Sequence, residues 1–109
     1  MVKTAITRGG IYYLEHAEWG RRPVLVLTRD AAIPVLKRVT IASISRTIRR
    51  IPSEVLLDET DGMPTRCAVS LDNLGDAWKA LLTEHITTLP PSRMTQVCEA
   101  LAIAVGCDR

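Results

Sequence analysis

The chain has 109 residues, of which 47% are hydrophobic, enough for one domain around one modest core. No apolar run is long enough to span a bilayer, and Lys3, Thr4 and Arg8 break the N-terminal stretch where a signal peptide needs continuous hydrophobicity, so a single cytoplasmic domain over residues 1–109 is expected. A formal net charge of +2 selects no class of partner, and 3 widely spaced cysteines argue against both a disulfide framework and a zinc knuckle.

Residues 8–15, rich in Ile and Tyr, predict a first strand. A polar turn runs from His16 to Arg21. Residues 22–29 predict a second strand, whose unbroken Val24–Leu27 run implies burial on both faces and a central place in the sheet. Pro23 stands at its start, where a missing N–H is tolerated. Residues 30–36 hold one helical turn limited by Pro34. Residues 37–45 predict a third strand, β-branched at Val39, Thr40, Ile41 and Ile44, and an arginine-rich loop follows to Pro52. Residues 53–59 predict a fourth strand, and Asp61-Gly62-Met63-Pro64 a turn. Residues 65–72 predict a fifth strand, with Cys67, Val69 and Leu71 on one face and Ala68, Ser70 and Asp72 on the other.

Beyond Gly75 the period changes: Asp76–Leu82 predicts a short helix and Glu84–Leu89 a short strand. Met94, Val97, Cys98, Leu101 and Val105 share one face of a last helix, opened by Pro90-Pro91-Ser92 and closed by Gly106. Cys67 and Cys98 read as small buried hydrophobes and Cys107 as exposed near the end. A meander of short strands with one amphipathic helix predicts a small barrel with the helix packed on it.

Charge is unevenly distributed. No acidic residue lies between Asp30 and Glu54, and Lys37, Arg38, Arg46, Arg49 and Arg50 all fall in that window. Cations clustered in this way either neutralise the phosphates of a polyanion or form a solvated loop.

Five segments then carry a resemblance. Arg8-Gly9-Gly10-Ile11-Tyr12, Arg22-Pro23-Val24-Leu25-Val26, a third strand ending in Ser45, Leu71-Asp72-Asn73-Leu74 and the C-terminal helix follow one another in an order that resembles the MazF/PemK (Kid) toxin family over nearly the whole chain. The resemblance implies a mainly β fold with α, an SH3-like, partly open antiparallel barrel of the CcdB/MazF kind with a C-terminal amphipathic helix. It also implies the toxin of a toxin–antitoxin pair. Such a toxin is an endoribonuclease that cleaves single-stranded RNA at short sequences with no metal or other cofactor. It acts as a homodimer and is neutralised by a cognate MazE-like antitoxin, whose acidic tail covers the RNA groove.

Carried across residue by residue, the resemblance puts the catalytic arginine at Arg22, the catalytic hydroxyl at Ser45 or Thr47, and a supporting acid at Asp72. Contact with RNA is expected from Glu15, Trp19, Arg21, Arg46, Arg49, Arg50 and Ser70. The chain departs from the family pattern at Ser45, where Thr is common, and at Ser70, where some members carry Arg. Arg46 or Arg66 is then expected to supply that cation.

These residue types suit the chemistry. The 2′-hydroxyl of RNA attacks its own adjacent phosphorus, so the protein supplies orientation and stabilisation of the phosphorane oxygens, not a nucleophile. The planar arginine fork grips two oxygens at once, and arginine stays protonated, which suits charge stabilisation and not general-base work. Products with 2′,3′-cyclic phosphate and 5′-hydroxyl ends are expected. His16 and His85, the only histidines, read as surface residues. Trp19, beside Arg21 in sequence space, either stacks on an unpaired base or folds back on the barrel.

Two other functions share the barrel: a non-enzymatic, CcdB-like gyrase poison and a catalytically silent RNA-binding module. The first depends on apolar aromatic residues at the extreme C-terminus, and this chain ends Gly106-Cys107-Asp108-Arg109. The second is opposed by Arg22 and its accompanying hydroxyl.

Overall fold

Runs of β-branched and aromatic residues at two-residue spacing form the strands β1 (Gly10–His16), β2 (Gly20–Val26), β3 (Arg38–Ser45), β4 (Glu54–Leu57), β5 (Cys67–Trp78) and β6 (Leu82–Thr88), followed by one helix, α1 (Pro91–Ala104). The computed structural model describes residues 5–18 and 20–108; Trp19, expected above to contact RNA, lies outside them. The strands join in one six-stranded sheet of order β4-β5-β3-β2-β1-β6, and every neighbouring pair is antiparallel. No described helix is long and apolar enough to cross a membrane.

Alternation divides the apolar side chains between the two faces of the sheet. Ile11, Leu25, Ala42, Ile44 and Val69 turn one way, where α1 covers them with Met94, Val97 and Ala100. Tyr12, Val24, Val26, Val39 and Ile41 turn the other way. Ala77 of β5 and Leu82 of β6 meet in this second cluster although their strands stand far apart in the sheet order, so the sheet curls toward closure as a half-open barrel. Leu25 and Val26 of β2 are both 0% exposed, one in each cluster, which is the two-sided burial implied by the apolar run. Each contributes about 2 kcal/mol.

β5 departs from expectation. It does not stop at Asp72. The residues expected as a helix, Asp76–Leu82, are strand through Trp78, a 3₁₀ turn at Lys79–Leu81 and the first residue of β6. β3 is the reason. Val39 faces Ala77 and Arg38 faces Trp78 across the ladder. Arg38 also pairs with Asp76 at 3.2 Å and lies over the Trp78 ring at 5.2 Å. Cross-strand partners capture a segment whose local preference is weak. Midway the register shifts: Ala42 faces Leu74 but Ser43 faces Ser70, so residues 71–73 bulge out of the ladder. The Leu-Asp-Asn-Leu segment is therefore a bulge within a bent strand and not a strand end.

Pro91 opens α1, and Gly106, at φ 75, follows its end. The buried stripe is Met94, Val97 and Ala100, with Leu101 and Ala104 packed at its margin. Small alanines let this side of the helix approach the sheet, and the rotation leaves Cys98 and Val105 exposed instead of buried. Cys67 is buried and Cys107 exposed, as expected. Gly62 closes the turn after the 3₁₀ residues Glu59–Asp61 at φ 92, where any Cβ collides with Thr87.

Candidate active site

β2 pairs with β3 only through Val24–Ser43, Leu25–Ala42 and Val26–Ile41. The Leu27 N–H donates to the Thr40 carbonyl at 2.9 Å. By the alternation of a strand, the preceding β2 amides turned toward β3 are those of Leu25 and Pro23. Pro23 has no N–H. The ladder stops at that missing donor, and β2 continues back to Gly20 paired with β1 alone. A groove of about 680 Å³ opens between the parted ends of β2 and β3.

Arg22 and Ser45, just beyond the last paired residues of β2 and β3, both line the groove. Arg21, Arg46, Thr47, Thr65 and Tyr13 surround them, and buried Ile44, Met63 and Cys67 form an apolar floor. Burial, reinforced by the charges of Asp61 and Asp58, pushes the Cys67 thiol above its ordinary value, so the floor stays uncharged. No acidic residue lines the groove among the described residues.

The two adjacent arginines meet different surroundings. Arg21 pairs with Glu84, lies 3.5 Å from the Glu15 carboxylate and stacks over the Tyr13 ring at 4.0 Å. The exposed Arg22 guanidinium has no hydrogen-bond or ion-pair partner among the described residues. Both arginines line the groove, but only Arg21 has its charge answered by carboxylates among the described residues.

The two hydroxyls also differ. Ser45 Oγ accepts the Thr47 N–H at 3.0 Å. That bond fixes the serine oxygen and leaves its own proton to donate. The Thr47 hydroxyl makes no hydrogen bond among the described residues.

Other residues selected from the sequence stand elsewhere. Asp72 lies in the β5 bulge, where its carboxylate accepts from Ser53 Oγ. Ser70 is 5% exposed, and its hydroxyl accepts from Asn73 Nδ2 at 3.0 Å. Neither lines the groove, because the bulge ties this stretch to the chain entering β4. Arg66 opens onto a second cleft with Asp58, Asp61 and Arg93, whereas Arg46 lines the groove with Arg22. Glu15 is held against Arg21 and accepts from Thr83 Oγ1 at 3.2 Å. Arg49 and Arg50 are exposed beyond the groove.

Neither histidine lines the groove. His16 Nδ1 accepts the Glu18 N–H at 3.0 Å, and the His85 ring packs 5.3 Å from that of Tyr12 and bonds Thr88. Sequence reasoning missed Tyr13 and Thr65 as lining residues. The pairing of Tyr13 with Pro23 was available in principle from the hairpin register. Thr65 comes from a turn whose place only the folded chain sets.

Comparison with known proteins agrees with this architecture. The family model for the "PemK-like, MazF-like toxin of type II toxin-antitoxin system" matches residues 7–105. A Mycobacterium tuberculosis protein named "Probable endoribonuclease MazF5" is 46% identical over 103 residues, covering 94% of this chain and 94% of that protein. The structure of an endoribonuclease in complex with its cognate antitoxin, from a mycobacterial species, superposes with a TM-score of 0.84 at 27% identity, covering 94% of this chain and 96% of that one. The Mycobacterium tuberculosis toxin MazF-mt6 gives a TM-score of 0.83 at 32% identity, covering 92% of this chain and 99% of that one.

Proposed function

The chain belongs to the PemK-like, MazF-like toxin family of type II toxin–antitoxin systems, and on that premise we propose that the groove between β2 and β3 is where this endoribonuclease cuts RNA. One observation carries the reading: the Arg22 fork, unpartnered among the described residues, lines the same groove as the available Ser45 hydroxyl, and no acid among the described residues lines it. An RNA phosphate supplies the anion that Arg22 lacks.

The 2′-oxygen attacks the phosphorus and the bond from phosphorus to the 5′-oxygen breaks. The 2′-proton passes to water, and the departing 5′-oxygen takes a proton from water. Arg22 and Ser45 hold the non-bridging oxygens as their charge grows, which lowers the barrier without a protein nucleophile. The ends are 2′,3′-cyclic phosphate and 5′-hydroxyl. Arg46, with exposed Arg49 and Arg50, holds the flanking phosphates of a single strand.

The same cations suit the acidic tail of a cognate MazE-like antitoxin. A homodimer sets two grooves side by side, and the cytoplasm is where RNA and antitoxin meet the toxin. A gyrase poison or a catalytically silent module on this barrel is not favoured, because the relative of highest identity given above bears the name of an endoribonuclease.

The purified chain, incubated with mixed RNA in chelator, is expected to leave cyclic phosphate ends. An oligonucleotide carrying 2′-deoxyribose at the cut position is expected to stay intact. Cleavage of that deoxy substrate would overturn the 2′-hydroxyl mechanism, and failure to cut any RNA would overturn the assignment of the groove.

A further inference from the structure

The arginine loop, residues 46–52, is tied down by the first residue of β4. Glu54 Oε1 accepts the Arg49 N–H at 2.9 Å and the Arg50 N–H at 3.1 Å. The Glu54 N–H in turn donates to the Ile51 carbonyl at 3.0 Å. Between them Arg50 sits at φ 56, in the left-handed region that a residue with a side chain seldom adopts. A charged acceptor on two successive amides holds it there.

The foundation of this tie is itself fixed. Ser53 is 6% exposed; its hydroxyl donates to Asp72 in the β5 bulge, and its carbonyl accepts the Leu71 N–H at 3.0 Å. The guanidinium groups of Arg49 and Arg50 have no hydrogen-bond or ion-pair partner among the described residues. Glu54 therefore applies its charge to the backbone and leaves both cations available to another anion.

We propose that Glu54 is a positioning residue for RNA binding, locking the 46–52 loop so that Arg49 and Arg50 present their charges beside the groove before RNA arrives. The proposal rests on the reading of the groove as an RNA site. It runs against simple electrostatics, by which an acid near a polyanion repels it and its removal tightens binding. Preorganisation has the opposite sign, because a loop that must be ordered on binding loses affinity.

The test compares Glu54→Ala with Glu54→Gln in the full chain, since the glutamine oxygen accepts the same N–H groups without charge. With a 2′-deoxy oligonucleotide that binds uncut, Glu54→Ala is expected to weaken binding roughly tenfold, and Glu54→Gln to recover most of the loss. With cleavable RNA, Glu54→Ala raises KM by a similar factor and leaves kcat nearly unchanged, because Glu54 bonds neither Arg22 nor Ser45.

Amide hydrogen exchange at Arg49 and Arg50 reads the anchor with no RNA present. It accelerates in Glu54→Ala and stays slow in Glu54→Gln. Should Glu54→Ala fail to fold, Glu54→Asp replaces it; this variant keeps the charge, shortens the reach and is expected to behave as Ala does. Tighter RNA binding by both uncharged variants overturns the proposal and makes Glu54 a merely repelling charge, as does unchanged exchange in Glu54→Ala. If the unaltered chain binds no RNA, the groove assignment fails instead, and the exchange rates still decide whether Glu54 anchors the loop.

Discussion

Arg93 and Arg22 are the same side chain in opposite circumstances. Arg93, near the start of α1, has its side chain 25% exposed and its Nε donating to Asp61 Oδ1 at 3.0 Å. Its other N–H groups reach the second Asp61 oxygen, the Leu56 carbonyl and Gln96. The protein fills this fork, which fastens α1 to β4 and to the 3₁₀ turn. The Arg22 fork is unfilled among the described residues, in a groove that no acid lines. Charge alone does not distinguish an available cation from a structural one. The distinction lies in whether the protein has already satisfied its donors.

The largest expected effect separates the two directly. Arg22→Ala should lower kcat for RNA cleavage about 10³-fold while the melting temperature stays within about 2 °C. Arg22→Lys should also be poor, since a point charge does not replace a bidentate fork. Near-normal cleavage by Arg22→Ala would erase the contrast with Arg93.

Next in size is the hydroxyl. Ser45→Ala should slow cleavage about 10²-fold, as loss of one transition-state hydrogen bond does. Thr47→Ala should do far less, because the Thr47 contribution to Ser45 is its backbone N–H, which alanine keeps. The reverse ranking would move the proposed catalytic hydroxyl from Ser45 to Thr47.

Arg93→Ala should show the converse of Arg22→Ala. Removing a partly buried, multiply bonded cation destabilises by about 2 kcal/mol, read as a lower denaturant midpoint, with kcat of the folded fraction unchanged. A cleavage defect without lost stability would break the comparison from the other side. Arg49→Glu with Arg50→Glu should weaken RNA binding and flatten its salt dependence, with turnover recovering at saturating RNA. Normal binding by that pair would leave the loop merely solvated.

The smallest effect lies beside Arg93. The Thr60 hydroxyl and N–H bond the Asp58 carboxylate and hold its pKa below the ordinary 3.8. A folded pKa below the unfolded one means stabilisation that is present above the unfolded value and lost as pH falls through the folded one. Asp58→Asn should therefore narrow the difference in melting temperature between neutral buffer and about pH 3. An unchanged difference would show that Asp58 takes no part in acid sensitivity.

Much of the sheet was legible because its strands carry their own pattern. β2 is an unbroken apolar run behind a proline, and β3 is β-branched along its length. β5 was not, because Asp76 to Trp78 is strand only by virtue of Arg38 and Val39 across the ladder. The stripe of α1 was read in part, but Cys98 and Val105 were misplaced because the approach of Ala100 to the sheet sets the rotation of the helix. Arg22 and Ser45 were selected from their flanking segments, and both line one groove because β2 and β3 stay unpaired beyond Val24 and Ser43. Asp72 and Ser70 were drawn to the groove by their neighbours in sequence, and the bulge carries both away from it.

By itself the sequence determined the periods, the turns and the proline that halts a ladder, since each of these is encoded within a few adjacent residues. The tertiary structure decided which charges are available. Arg21 is neutralised with the help of Glu84, Arg93 is held by Asp61, and Arg22 meets no such carboxylate among the described residues. It also decided that Ser45, and not Thr47, has its oxygen oriented, and that an acid beside a basic loop serves its backbone. A donor is satisfied or left open by groups distant along the chain, and local pattern carries no record of them.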